Sequence, residues 1–177
     1  MARVHRVQKS NKVHQCSRGH EIAKGQPYTW AKPGFRRRTP IIRCAAHPFR
    51  PSELMTGAAS APTAAVEAFE DAVAAGFEDM DSLEAAWEEL RQAVEEYRDE
   101  RQTALDAWEH GNSQLEEYLD TAERALEEVD GHSFESFDDE EPSADDEEEW
   151  EEWDQARVAH IEEQADDALS VAGSLEF

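Results

Sequence analysis

Two short pairs of metal-ligating residue types stand near the start of the chain: Cys16-x3-His20 and Cys44-x2-His47, with residues 21–43 between them. Zinc takes four nitrogen and sulfur ligands in a tetrahedron, and two close pairs held on turns supply them at little cost in chain entropy. Gly19, inside the first pair, can take the positive φ that a tight turn needs. His14 is a competing ligand to His20. The plain alternative is two unrelated reduced thiols and two surface histidines. All four ligand types fall between Cys16 and His47, in a chain that has no other cysteine, which favours the metal. Four protein ligands close the coordination sphere, whereas a catalytic zinc keeps one position open, so the spacing predicts a structural site.

Other chemistry is hard to find. Carboxylates are so numerous that no pair stands out as a general acid and base. Neither a Gly-rich phosphate loop nor a nucleophile motif occurs. The chain therefore reads as non-enzymatic. A second constellation is basic: Lys32, Arg36, Arg37, Arg38 and Arg43 surround a Pro33-Gly34 turn pair, with Trp30 and Phe35 nearby. Guanidinium groups fork onto phosphates, so these five residues form a candidate contact to DNA or RNA. Trp30 and Phe35 read as core of the little domain rather than as base platforms.

The elements that must position these groups follow from charge and periodicity. The chain has 177 residues and a formal net charge of -25, split unevenly. Up to Leu54 there are 12 Lys/Arg and two acids, giving 12 - 2 = +10; the remainder holds 5 basic and 40 acidic residues, giving 5 - 40 = -35. That asymmetry argues against one uniform globule. Apolar residues are 39% and rich in alanine, which suits helices burying narrow stripes. Residues 28–30 and 39–43 suit strands joined by the Pro-Gly turn, a hairpin. A segment of about 35 residues with few large apolar side chains needs a staple to fold.

Beyond this head, Val66, Phe69, Val73, Phe77 and Met80 recur at helical spacing. Leu83, Trp87, Leu90, Val94 and Tyr97, then Arg101, Ala104 and Trp108, alternate steps of four and three, the seam of a coiled coil or helical hairpin. Gly111-Asn112-Ser113 reads as a turn, and Leu115, Leu119, Ala122, Leu126 and Val129 carry a second stripe. Helices over residues 82–110 and 113–129 follow, with a single long rod as the alternative. Residues 138–154 hold 12 acids, a density that predicts disorder as far as about Glu148. Trp150, Trp153, Val158, Ile161, Ala165 and Leu169 then mark a last amphipathic helix.

The expected order is a basic flexible arm at 1–15, a zinc finger at 16–54 and a linker at 55–61. Amphipathic helices follow at 62–130, then an acidic disordered segment at 131–149 and a C-terminal helix at 150–177. The fold class is thus a small zinc-stabilised β-hairpin finger followed by a mainly α-helical region with an acidic, partly disordered segment.

Cys16-Ser17-Arg18-Gly19-His20-Glu21-Ile22-Ala23-Lys24-Gly25-Gln26-Pro27-Tyr28, then Arg43-Cys44-Ala45-Ala46-His47-Pro48 and Arg50-Pro51-Ser52-Glu53-Leu54, resembles a zinc finger of small uncharacterised proteins of actinobacterial tailed phages. Those proteins carry an acidic helical tail, as here. The first pair with its I-x-K-G stretch is also similar, over little more than that stretch, to fingers of poly(ADP-ribose) polymerases and a DNA ligase. His20 and His47 stand where such fingers more usually have cysteine. The resemblance implies a phage-encoded zinc-binding protein in the host cytoplasm and carries no activity over.

The expected function is interaction, with DNA or RNA through the basic finger. The alternative is an acidic helical adaptor or nucleic-acid mimic that binds a basic host or phage protein. No stretch approaches the roughly 18 apolar residues of a membrane span. No secretory signal appears either, which predicts a cytoplasmic protein without a membrane partner.

Overall fold

The computed structural model describes residues 1–34, 39–138, 141–142 and 147–177, save the side chains of Glu147 and Glu148. The described chain divides into two compact units, Met1–Ala64 and Ala65–Phe177.

Among its described residues the first unit holds five short strands: β1 (His5–Val7), β2 (His14–Gln15), β3 (Glu21–Ile22), β4 (Tyr28–Ala31) and β5 (Ile41–Arg43). Strands β1, β4 and β5 form an antiparallel sheet in the order β1-β4-β5, and β2 pairs with β3. The expected hairpin is present as β4 and β5, with Thr29 opposite Arg43 and Trp30 opposite Ile42. Residues 1–15, expected as a flexible arm, instead supply strands to both sheets. His5 lies opposite Trp30 and stacks on it at 4.1 Å, and Ala2 N–H donates to the Leu54 carbonyl. So short a strand shows too little alternation to stand out in a sequence. Ser10, 3% exposed, explains the next bend: its N–H donates to the Gln26 carbonyl and its own carbonyl accepts from Gly25 N–H. Gly25 has φ +91°, which a residue with a Cβ rarely adopts.

Arg50-Pro51-Ser52-Glu53-Leu54 folds into one helical turn, α1 (Pro51–Leu54). Pro51 suits the first turn, and the Glu53 carboxylate reaches back to accept from Arg50 N–H, the return half of a capping box.

Helix α2 (Ser60–Ala75) begins at Ser60 and carries the chain across the division between units. The second unit then contains α3 (Met80–Asp106), α4 (Ser113–Gly131) and α5 (Glu147–Ser174). The cap of α3 is Asp79, whose carboxylate accepts from Ser82 N–H while Ser82 caps back. Leu83, Trp87, Leu90, Val94 and Tyr97 are all buried on α3, so the seam is where the alternating spacing puts it. Gly111 at φ +71° and Asn112, whose side chain accepts from Gln114 and Leu115 N–H, stop one helix and start the next. Helices α3 and α4 pack along each other, which is a hairpin rather than a rod.

Three details depart from the spacing. Trp108, expected in the seam, is 58% exposed, because α3 ends at Asp106. On α5 the buried line is Ile161, Ala165, Ala168 and Ala172, with Val158 exposed. Its three alanines join Leu83, Leu90 and Val94 of α3 in one buried cluster. The acidic segment expected to be disordered from residue 131 starts as an ordered strap. His132 and Phe134 pack on Trp87, Glu135 N–H donates to the Gln164 side chain at 2.9 Å, and Phe137 meets Trp153 edge-on. Residues 139–140 and 143–146, the centre of the acidic run, lie outside the described residues. No helix of the described chain is long and apolar enough to cross a membrane.

Candidate metal centre

Cys16 follows β2 directly, and the tight turn to β3 puts its carbonyl under Gly19 N–H at 2.8 Å. Gly19 adopts φ +89°, the conformation that glycine makes cheap. Cys16 N–H donates to the His20 carbonyl at 2.7 Å, closing the turn. One residue on, Ser17 N–H donates to the Ile42 carbonyl and the Ser17 hydroxyl accepts from Ile42 N–H. That double tie fastens the turn to β5 just before Cys44. The second pair is short enough to form its own turn, with His47 N–H donating to the Cys44 carbonyl at 3.1 Å.

The result is a cluster in which the ligand atoms of Cys16, Cys44 and His47 lie within 4.8 Å of one another. His47 Nδ1 is 3.7 Å from Cys16 Sγ and 3.5 Å from Cys44 Sγ. Both thiols are free. Such a set of two sulfurs and one nitrogen can bind a metal ion. His20 is outside this three-residue group. Its Nδ1 lies 4.0 Å from Cys44 Sγ, and its ring is 4.3 Å from that of His47. His14, the competing ligand, turns elsewhere and packs on the Tyr28 ring at 4.7 Å.

The surroundings of Cys16 favour the thiolate a metal requires. Burial pushes the Cys16 thiol up, but hydrogen bonds from the Arg18 and Cys44 backbones, the Cys44 side chain and Arg43 outweigh it, leaving it below its ordinary value.

The basic residues separate into three groups. Lys32 is exposed. Arg36, Arg37 and Arg38, with the neighbouring Phe35, lie outside the described residues. Arg43, a candidate phosphate contact, is 5% exposed and turned inward to Glu53, to which it donates from Nε and Nη2. It lies opposite Thr29 on β4, and Glu53 of α1 reaches it there. Glu53 also accepts from Arg18 at 3.4 Å and from Arg50 N–H at 3.2 Å. Burial pushes its carboxyl up, and the Arg43 hydrogen bond, the Arg50 N–H and the charges of Arg43 and Arg18 pull it further down, below the usual carboxylate range.

Glu53 is the structural residue that sequence reasoning passed over. It links β5, the Cys16 turn and α1 around the cluster. Its signal was present: Glu21 and Glu53 are the two acids that precede Met55, and Glu53 falls in the Arg-Pro-Ser-Glu-Leu stretch.

A small two-sheet unit with a Cys-Cys-His cluster, followed by a helical unit, is therefore the class this chain defines. No protein-family model, curated protein or solved structure matches it.

Proposed function

We propose that the chain is a non-enzymatic interaction protein whose first unit is a zinc-stabilised finger contacting DNA or RNA. The geometry of the cluster carries the zinc reading. Sulfur at about 2.3 Å and nitrogen at about 2.0 Å from a tetrahedral ion stand roughly 3.5 Å apart; the two Sγ–Nδ1 separations of His47 are 3.5 and 3.7 Å. His20, whose Nδ1 lies 4.0 Å from Cys44 Sγ, is the candidate fourth ligand. With Cys16, Cys44, His47 and His20 the site is closed, and zinc supplies cross-linking rather than chemistry.

Charge carries the nucleic-acid reading. Met1–Ala64 has a net charge of +10, and Arg3, Arg6, Lys9, Lys12, Arg18, Lys24 and Lys32 are exposed. Neutralising phosphates releases counterions, so binding must weaken as salt rises. The likeness to phage finger proteins supports a phage-encoded protein acting in the host cytoplasm. The test is the purified full-length chain: one zinc per chain by elemental analysis, and binding of labelled DNA or RNA at low salt with a negative log–log salt slope. Absence of zinc removes the finger reading; absence of binding at low salt removes the nucleic-acid reading.

A second reading draws on the helical unit, whose net charge is -35 and whose Trp108 and Tyr118 are exposed. An acidic surface with exposed aromatics suits a basic protein, as an adaptor or nucleic-acid mimic would. Competition of a basic nucleic-acid-binding protein between this chain and DNA distinguishes it from the first.

A further inference from the structure

Strands β1 and β4 and the chain from Cys44 to Leu54 enclose a half-open cleft of about 510 Å³. Small-ligand sites run from about 300 to 1,000 Å³. Phe49 gives it an aromatic wall, Cys44 and Pro48 line it beside that ring, and Gln8 and Thr29 add polar groups. Arg6 is the charged side chain of the lining, and no carboxylate among the described residues stands with it. The placement follows from register. Arg6 lies opposite Thr29, so both project from the same face of the sheet, while His5 projects from the other to stack on Trp30.

The aromatic wall is braced. The Arg43 guanidinium lies 5.7 Å from the Phe49 centroid. Arg43 does not itself line the cleft. Arg43 is itself held by Glu53. A ring fixed in this way loses little freedom when a flat ligand stacks on it.

A π surface, an amide, a hydroxyl and an exposed arginine together match one ligand chemistry, a heterocyclic base joined to a phosphate. We propose that this cleft takes an unpaired nucleotide of single-stranded DNA or RNA. The proposal rests on the nucleic-acid reading above and narrows it. A base within a duplex is already stacked on both faces, whereas an unpaired base reaches a protein ring at least cost. Charge selects for the same partner: Arg6, the cation of the cleft, belongs to a unit of net charge +10.

The experiment uses the zinc-loaded full-length chain and two labelled probes, a blunt duplex and the same duplex with a single-stranded overhang, each in DNA and RNA form. The overhang is expected to bind about tenfold tighter than the blunt end, the scale of one base stacked on an aromatic ring. Phe49→Leu keeps the apolar volume and removes the π face, so the preference falls to about parity while blunt-end binding persists. Phe49→Met serves the same purpose if Phe49→Leu fails to fold, with helix content and zinc stoichiometry as the folding checks. Arg6→Gln lowers the salt slope for the overhang by about one. Equal affinity for the two probes overturns the cleft proposal and leaves the nucleic-acid reading standing, as does a preference that survives removal of the Phe49 ring. No binding to either probe at low salt overturns the nucleic-acid reading itself, and the cleft with it.

Discussion

The two units hold themselves together by different means. In Met1–Ala64 the buried apolar side chains among the described residues include only Cys16, Ile22, Ala31 and Ile41 of the sheets and their turns, and the strands are two to four residues long. Cohesion there is polar: Glu53 gathers Arg43, Arg18 and the Arg50 N–H, and Ser10 ties two loops. In Ala65–Phe177 a continuous apolar seam runs through Phe69, Leu83, Trp87, Leu90 and Val94 to Ala125, Val129 and the alanines of α5. A small unit with so thin a core depends on cross-links, whereas amphipathic helices need only their seam. The two units should therefore fail under different perturbations.

The largest difference is expected on removal of the zinc proposed for the Cys16, Cys44 and His47 cluster. Structural zinc contributes about 10–16 kcal/mol of apparent free energy in small finger peptides, more than a unit of this size holds otherwise. A chelator, or Cys44→Ser, is expected to abolish the fixed His5–Trp30 stack while leaving α3–α5 helical. Near-ultraviolet circular dichroism reads the first and far-ultraviolet the second. Simultaneous loss of both signals would show that the helical unit does not fold independently of the first.

The reverse perturbation is Trp87→Ala. Trp87 is 5% exposed and meets Phe69, His132 and Phe134. Truncating a buried tryptophan costs about 3–5 kcal/mol. The helical unit loses that much in a urea titration, and zinc stoichiometry stays at its wild-type value. Zinc loss in this variant breaks the comparison.

Third comes Glu53→Gln. Removing one partner of a buried ion pair leaves the other charge uncompensated, which costs about 3 kcal/mol; Arg43 is the partner left behind, with Nη1 already lacking a hydrogen bond. The pH dependence has a definite sign. The Glu53 carboxyl is below its ordinary value in the folded unit. Its contribution is therefore complete above the unfolded value of about 4.3 and is lost as pH falls through the lower folded value. The stability gap between wild type and Glu53→Gln is expected to be constant near neutrality and to close in acid. A gap unchanged at low pH would mean that the glutamine variant is weakened by something other than charge.

Much of this was readable from residue types and spacing, and the exceptions have physical causes. The ligand pairs announced themselves because cysteine is scarce here and the pairs are local. What joins one pair to the other, the Ser17–Ile42 tie and Glu53, depends on strand register, which no local pattern encodes. The seam of α3 was legible because its spacing is long and regular. Strand β1 was not, because so short a strand alternates only once. The strap at 132–137 was hidden by composition: Phe134 and Phe137 are apolar, but the acids that follow dominate any window containing them. Arg43 looked like the exposed Lys32 because a cation that pairs inward and one that faces solvent read alike in a sequence.

The smallest predicted effect separates two tryptophans that share one heptad stripe. Trp87 and Trp108 stand three heptads apart, so periodicity alone assigns them the same environment. They differ because Trp108 N–H donates to the Leu105 carbonyl in the frayed last turn, after which Gly111 reverses the chain. Its ring is left 58% exposed at the end of the hairpin. A surface substitution away from a cap or a core contact changes stability by about 0.5 kcal/mol or less. Trp108→Ala is therefore expected to leave the urea midpoint of the helical unit within that margin, against the loss of several kcal/mol at Trp87. Its emission is also expected to respond to an aqueous quencher from which Trp87 is shielded. A Trp108→Ala cost comparable to that of Trp87→Ala would mean that the seam continues past Asp106 in solution, and that the heptad spacing described the hairpin end better than the helix boundary does.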